Sequence, residues 1–180
     1  MKMTYAKKVV FTAVCIALCV VLPMAFHSIQ NAGTIFLPMH IPVLLCGLMC
    51  GWPFGFICGL LGPTLSCLLT GMPPVAMLPA MMVETAAYGC ITGLMMCFIH
   101  TKKPIADLYI SMITAMILGR VLAGLAKSLI FSPGTAPFAW VTTSLVAGIP
   151  GIAIQLILIP LVVMSLTRAK LLPRRYMVAA

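Results

Sequence analysis

Long apolar runs separated by short polar or Pro- and Gly-rich segments form the dominant pattern along the chain. An apolar run of about 20 residues is long enough to cross a bilayer as a helix. The pattern predicts an all-α membrane protein with six transmembrane helices in a single transmembrane domain over residues 1–180. The predicted helices cover roughly 9–26, 40–51, 54–69, 75–99, 107–131 and 139–166. Pro150 and Pro160 predict kinks in the sixth helix.

The composition agrees with a membrane location. The chain has 180 residues, of which 63% are hydrophobic and 7% are charged. A soluble domain carries about 25% charged residues. Because so few charges cannot cover a water-facing surface, we interpret the chain as an integral membrane protein that contacts the lipid bilayer along its length.

The net charge of +9 is confined mainly to three places. These are the N-terminus, one central loop and the C-terminus, with Lys2, Lys7, Lys8, Lys102, Lys103, Arg168, Lys170, Arg174 and Arg175. If both termini are cytoplasmic, all nine lie inside, and the outer loops 27–38, 70–74 and 132–138 contain no Lys or Arg. The charge therefore indicates topology, and we expect no nucleic-acid partner.

Three charged residues lie within the apolar segments. Arg120 and Lys127 are two turns apart on the predicted fifth helix, and Glu84 lies on the fourth. Counted from the outer face, Glu84 is about nine residues deep, Arg120 about eleven and Lys127 about four. Charges at membrane depth need a partner or a polar cavity. Their sum, +2 − 1 = +1, predicts a site for a monoanion at Lys127 with or without Arg120. A structural Glu84–Arg120 salt bridge and snorkelling of Lys127 to the surface are the alternatives.

Further polar and aromatic candidates for the same site lie mostly near the predicted outer face. They are Asn31, His40, Tyr88, Trp140 and Thr143. An aromatic wall with a few hydrogen-bonding groups is typical of small-molecule pockets. Trp140 is also consistent with an interfacial belt residue, and His40 with the simple start of a helix.

Signatures of enzymes and of bound cofactors are not found in the sequence. No HExxH, GxSxG or paired carboxylates occur, and no GxxxxGK[ST] loop is present for ATP. The eight cysteines fall in apolar segments without ligand spacing, which favours core packing over a metal site. We therefore expect no enzyme activity, no cofactor and no metal, and an energy source that is a separate subunit or an ion gradient.

Small residues recur at intervals of four. Gly47, Gly51, Gly55 and Gly59 follow one another across the second and third helices, and Gly89 and Gly93 repeat the spacing in the fourth. Ala13 and Ala17 form a similar pair in the first helix. This spacing lets membrane helices approach closely. We expect the glycines to pack within the chain, whereas the alanine pair also suits a partner.

The stretch 40–95 resembles the substrate-binding S components of energy-coupling factor (ECF) vitamin transporters. The resemblance rests on the His-x-Pro start of a short second helix, the run GPTLSCLLTGMPP and the run ETAAYGCITG. It implies the six-helix S-component fold in a bacterial cell membrane, with a vitamin pocket in helices 4–6 capped by the loop after helix 1. It also implies docking through Ala13 and Ala17 on a transmembrane coupling subunit, with two ATP-binding subunits driving transport.

Within this family the pattern of the chain most resembles the pantothenate-type group, with riboflavin-type proteins as relatives. Pantothenate is a small monoanion with hydroxyls and an amide, which agrees with the intramembrane charge. Biotin and nicotinate are also monoanions and stay open, as does riboflavin. A solitary ion-coupled transporter that uses Glu84 as a proton carrier, and a non-transporting assembly subunit, are the remaining alternatives.

Overall fold

The computed structural model describes residues 3–25, 32–101, 103–131 and 137–169, and every regular element in these ranges is a helix. In chain order the helices are α1 Tyr5–Ala25, α2 Ala32–Phe36, α3 His40–Cys50, α4 Trp52–Thr70, α5 Leu78–Phe98, α6 Pro104–Ala126, α7 Pro137–Ala147 and α8 Ile149–Arg168. A π-helical turn, Lys127–Phe131, continues α6. The expectation of an all-helical chain is confirmed.

In the described part of the chain, five helical stretches are long and apolar enough to cross a membrane, as in a multi-pass membrane protein. They are Tyr5–Ala25, Trp52–Thr70, Leu78–Phe98, Pro104–Ile130 and Ile149–Arg168. The second predicted span, 40–51, corresponds to α3, which has only 11 residues and is roughly 16 Å long. Because α3 is buried along nearly its whole length, it is a central helix that the longer helices surround.

The predicted sixth helix, 139–166, is two helices in the structure. The chain turns at Gly148, between α7 and α8, and Pro150 lies in the first turn of α8. Proline has no N–H to donate and its ring collides with the carbonyl four residues earlier, which favours a break just before it. The sequence therefore predicted a kink where the structure has a break, and this break positions residues of the site described below.

Helices α3, α4 and α5 approach each other so closely that only glycine fits at the crossings. A Cβ atom on Gly47 or Gly55 would collide with the backbone of Gly89. A Cβ atom on Gly59 would collide with the backbone at Thr85, whose hydroxyl donates a 2.6 Å hydrogen bond to the Gly59 carbonyl. The expected intramolecular packing of these glycines is confirmed.

Helix α1 packs against α3 and α4 through one face only. Cys15 and Cys19 on that face are buried, in agreement with their interpretation as core residues. The opposite face is exposed and includes Ala13 and Ala17. The alanine pair thus lies on the surface of this chain rather than in its core.

Candidate functional site

Four ionisable side chains meet in the interior between three helices. His40 begins α3, Glu84 and Tyr88 lie one turn apart on α5, and Arg120 lies in the last two turns of α6. Each of the four residues is 7% exposed or less. Buried charges are strongly unfavourable unless they are paired, so the contacts among these side chains decide whether the fold tolerates them.

Glu84 lies between two nitrogen-bearing side chains. Its Oε1 atom is 3.5 Å from Nε2 of His40 and 3.7 Å from Nε of Arg120. Both distances are longer than those of well-formed hydrogen bonds, and the contact with Arg120 is an ion pair. The Glu84–Arg120 pair considered from the sequence is therefore present. His40, which was expected nearer the outer face, instead contacts the same carboxylate.

Tyr88 connects the carboxylate side of this cluster to α6. Its hydroxyl accepts a 2.9 Å hydrogen bond from Nε of Arg120 and donates one of 3.3 Å to the carbonyl of Met116. Its ring packs edge-on against His40, with 5.0 Å between centroids. A Cβ atom on Gly119 would overlap the Tyr88 ring, so this glycine allows the phenol to lie against α6.

Arg120 also reaches the break between α7 and α8. Its Nη1 atom donates a hydrogen bond to the carbonyl of Ser144. Its Nη2 atom lies beside Gly148, where an added Cβ atom would be 2.7 Å from Nη2 and 3.0 Å from Cδ1 of Leu37. The guanidinium therefore links α5, α6 and the α7–α8 break.

The segment before α3 packs over the same region. Leu37 has a positive φ of 50°, which is uncommon for a residue other than glycine. Its carbonyl accepts hydrogen bonds from the His40 backbone N–H at 3.1 Å and from Nε2 of Gln155 at 3.4 Å. A Cβ atom on Gly151 would contact the α2 backbone, so α2 lies directly on α8. The buried cluster is therefore bounded by α2 and by the short segment that joins α2 to α3.

Lys127 lies apart from Glu84, in the first position of the π-helical turn. It is half-buried, and its Nζ atom is 5.1 Å from the centroid of the Trp140 ring. Among the residues that the structure describes, no carboxylate forms an ion pair with it. A cation over an indole face is stabilised by the ring quadrupole, and π-helical turns are frequent at functional sites. The two cations of the sequence pattern thus have different surroundings.

The family model described as "ECF transporter, substrate-specific component" matches residues 7–163. The chain belongs to this family. The comparisons with curated proteins and with solved structures returned no match. The S component is therefore a substrate-binding membrane subunit of a transporter rather than an enzyme.

Of the other predicted site residues in this S component, Thr143 and Trp140 do not join the buried cluster. Thr143 is exposed, and its hydroxyl donates a 2.7 Å hydrogen bond to Ala139 of its own helix. Trp140 contacts Lys127 as described. Asn31 lies outside the described residues.

Several residues that shape the site were not singled out from the sequence. Gly119 and Gly148 make room for Tyr88 and Arg120, and Leu37 supplies the carbonyl that Gln155 contacts. A glycine within an apolar run carries no signal of which side chain will lie against it. The sequence of this S component gave one hint of these contacts, because an arginine at membrane depth needs polar partners.

Proposed function

We propose that this S component binds a small vitamin that carries one carboxylate, with pantothenate as the favoured candidate. The observation that carries the proposal is the surroundings of Lys127. Glu84 and Arg120 compensate each other at 3.7 Å, whereas Lys127 is half-buried beside Trp140 without an acidic partner in the described ranges. Its charge is the one that a monoanionic ligand would neutralise.

The test compares an anionic vitamin with its neutral amide in the Lys127→Met variant. A hydrogen bond to a charged group contributes about 1.5–3 kcal/mol, so the Kd for pantothenate should rise about 10- to 100-fold. The Kd for pantothenamide, which has no carboxylate, should change much less. The measurement is equilibrium binding to the purified protein.

Lys103→Met is a matched control, because Lys103 is exposed in the loop before α6. It removes the same charge from the chain and should leave both Kd values unchanged. Equal loss of affinity for the acid and the amide in Lys127→Met would argue against carboxylate pairing. Absence of binding to any of pantothenate, biotin, nicotinate and riboflavin in the unmodified protein would contradict the proposed function itself.

We further propose that the exposed face of α1 docks on a transmembrane coupling subunit. Ala13 and Ala17 are exposed one turn apart, and the opposite face of the helix is already used against α3 and α4. Small residues at this spacing allow another helix to approach closely. Two ATP-binding subunits attached to the coupling subunit would supply the energy, since this chain carries no P-loop.

For the topology we propose six crossings with both termini in the cytoplasm of a bacterial cell. The short α3 is compatible with this arrangement because the segment before it is buried from Leu37 to Met39. The chain is thus already inside the helical bundle when α3 begins, at the level of Glu84. The 11 residues of α3 then suffice to reach the cytoplasmic side. The absence of Lys and Arg from 27–38, 70–74 and 132–138 supports the same orientation.

A further inference from the structure

Three buried side chains around Leu37 and Gly148 keep hydrogen-bonding atoms that no described residue uses. They are Nη2 of Arg120, Oε1 of Gln155 and Nδ1 of His40. Each of the three side chains is 1% exposed. A buried polar group without a partner costs about 1–3 kcal/mol, and most such groups in folded proteins are satisfied. Their convergence on one region indicates a polar ligand rather than three separate defects.

Arg120 and Gln155 are each fixed by hydrogen bonds from their other polar atoms, and these bonds also fix the positions of Nη2 and Oε1. Arg120 is fixed through Nε to Tyr88 at 2.9 Å and through Nη1 to the Ser144 carbonyl. Gln155 is held through Nε2 by the Leu37 carbonyl at 3.4 Å. With these ends held, Nη2 and Oε1 are a donor and an acceptor that have no partner among the described residues. Nη2 of Arg120 packs so closely against Gly148 that a Cβ atom at this position would lie 2.7 Å from it.

The charge of this region determines which chemical group it suits. Glu84 and Arg120 contribute −1 and +1, and histidine is counted as neutral, so the cluster has no net charge. A carboxylate placed here would bring an uncompensated charge into the interior, which is costly. An amide or hydroxyl group adds no charge, and the same group can accept a hydrogen bond from Nη2 of Arg120 and donate one to Oε1 of Gln155.

We infer that Arg120 and Gln155 recognise an uncharged amide, ureido or hydroxyl group of the bound vitamin, while Lys127 alone takes its carboxylate. This inference rests on the proposed vitamin-binding function and narrows the substrate class. Pantothenate and biotin have one carboxylate for Lys127 and a separate neutral group that both donates and accepts hydrogen bonds, for Arg120 and Gln155. Nicotinate lacks a donor on its ring and suits only Lys127.

The test measures Kd for pantothenate and for biotin, each beside the analogue in which an alcohol replaces the carboxylate. Gln155→Leu should weaken the acid and its alcohol by the same factor, about tenfold, because the lost contact does not involve the carboxylate. Lys127→Met should weaken the acid only. Selective loss of the acid in Gln155→Leu, or no loss of either compound, would overturn the inference.

Gly148→Ala provides a second test if Gln155→Leu does not fold. Its φ of −88° is compatible with alanine, and the added methyl group would lie 2.7 Å from Nη2 of Arg120. It should weaken the acid and the alcohol equally, and a change in their ratio would contradict the inference. If the unmodified protein binds none of these compounds, the proposed function fails and the inference with it. If it binds them and only the pattern among variants differs, the inference alone fails.

Discussion

Removal of Arg120 should destabilise the protein far more than removal of an exposed arginine. Arg120 lies 3.7 Å from Glu84 and donates hydrogen bonds to Tyr88 and to the Ser144 carbonyl. Breaking a buried ion pair from one side costs about 3–5 kcal/mol, because the other charge stays buried without its partner. Nε2 of His40 remains 3.5 Å from Oε1 of Glu84 as a polar neighbour of the carboxylate, so we expect Arg120→Met to fall near the lower end of this range.

The reasoning is tested by a double-mutant cycle between the two charges. Glu84→Gln alone leaves Arg120 uncompensated and should also cost about 3 kcal/mol or more. In Glu84→Gln/Arg120→Met neither charge is present, so the combined loss should be smaller than the sum of the single losses by about 1–3 kcal/mol. The measurement is the free energy of unfolding in lipid bicelles.

The control for the cycle is Arg168→Met, which removes an exposed arginine from the last turn of α8. Surface changes of this kind usually alter stability by no more than about 0.5 kcal/mol. If the losses of the two single variants simply add in the double variant, Glu84 and Arg120 are not energetically coupled and the account of the cluster is wrong. The same conclusion follows if Arg120→Met is as mild as Arg168→Met.

The packing and docking surfaces give two more predictions. Gly89→Ala should destabilise the protein by about 1–3 kcal/mol or prevent folding, because the methyl group would collide with the Gly55 backbone. Gly33→Ala, which meets no atom within 4 Å, is the matched control, and equal effects on the unfolding midpoint would contradict the packing argument. Leucine at Ala13 and Ala17 should abolish co-purification with the coupling subunit while leaving the vitamin Kd unchanged, and retained co-purification would exclude this face of α1 as the docking site.

The pairing of Glu84 with Arg120 shows how far residue counting along helices can reach. Both residues were placed at similar depth on adjacent antiparallel helices at 1.5 Å per residue. The observed contact of 3.7 Å agrees with that estimate. The glycine spacing was equally informative, because close helix crossings require the smallest residue whatever the rest of the fold does.

Counting along helices failed where the chain does not follow a regular helix. His40 was expected near the outer face, yet the buried segment from Leu37 to Met39 carries it to Glu84. The break at Gly148 was expected only as a kink at Pro150, yet it is the point that Nη2 of Arg120 contacts. Such segments follow the surfaces they pack on, which a local pattern does not specify.

The sequence by itself determined that the chain is helical and embedded in a membrane, because apolar runs of this length leave no other way to satisfy the backbone. It also determined that Arg120 and Glu84 need partners, because charges at this depth are costly. Only the tertiary structure decided which groups those partners are and which hydrogen-bonding atoms remain unused. That outcome depends on side chains from α3, α5, α6 and α8 meeting around the α7–α8 break, and contacts between residues so distant in the chain leave no periodic trace in it.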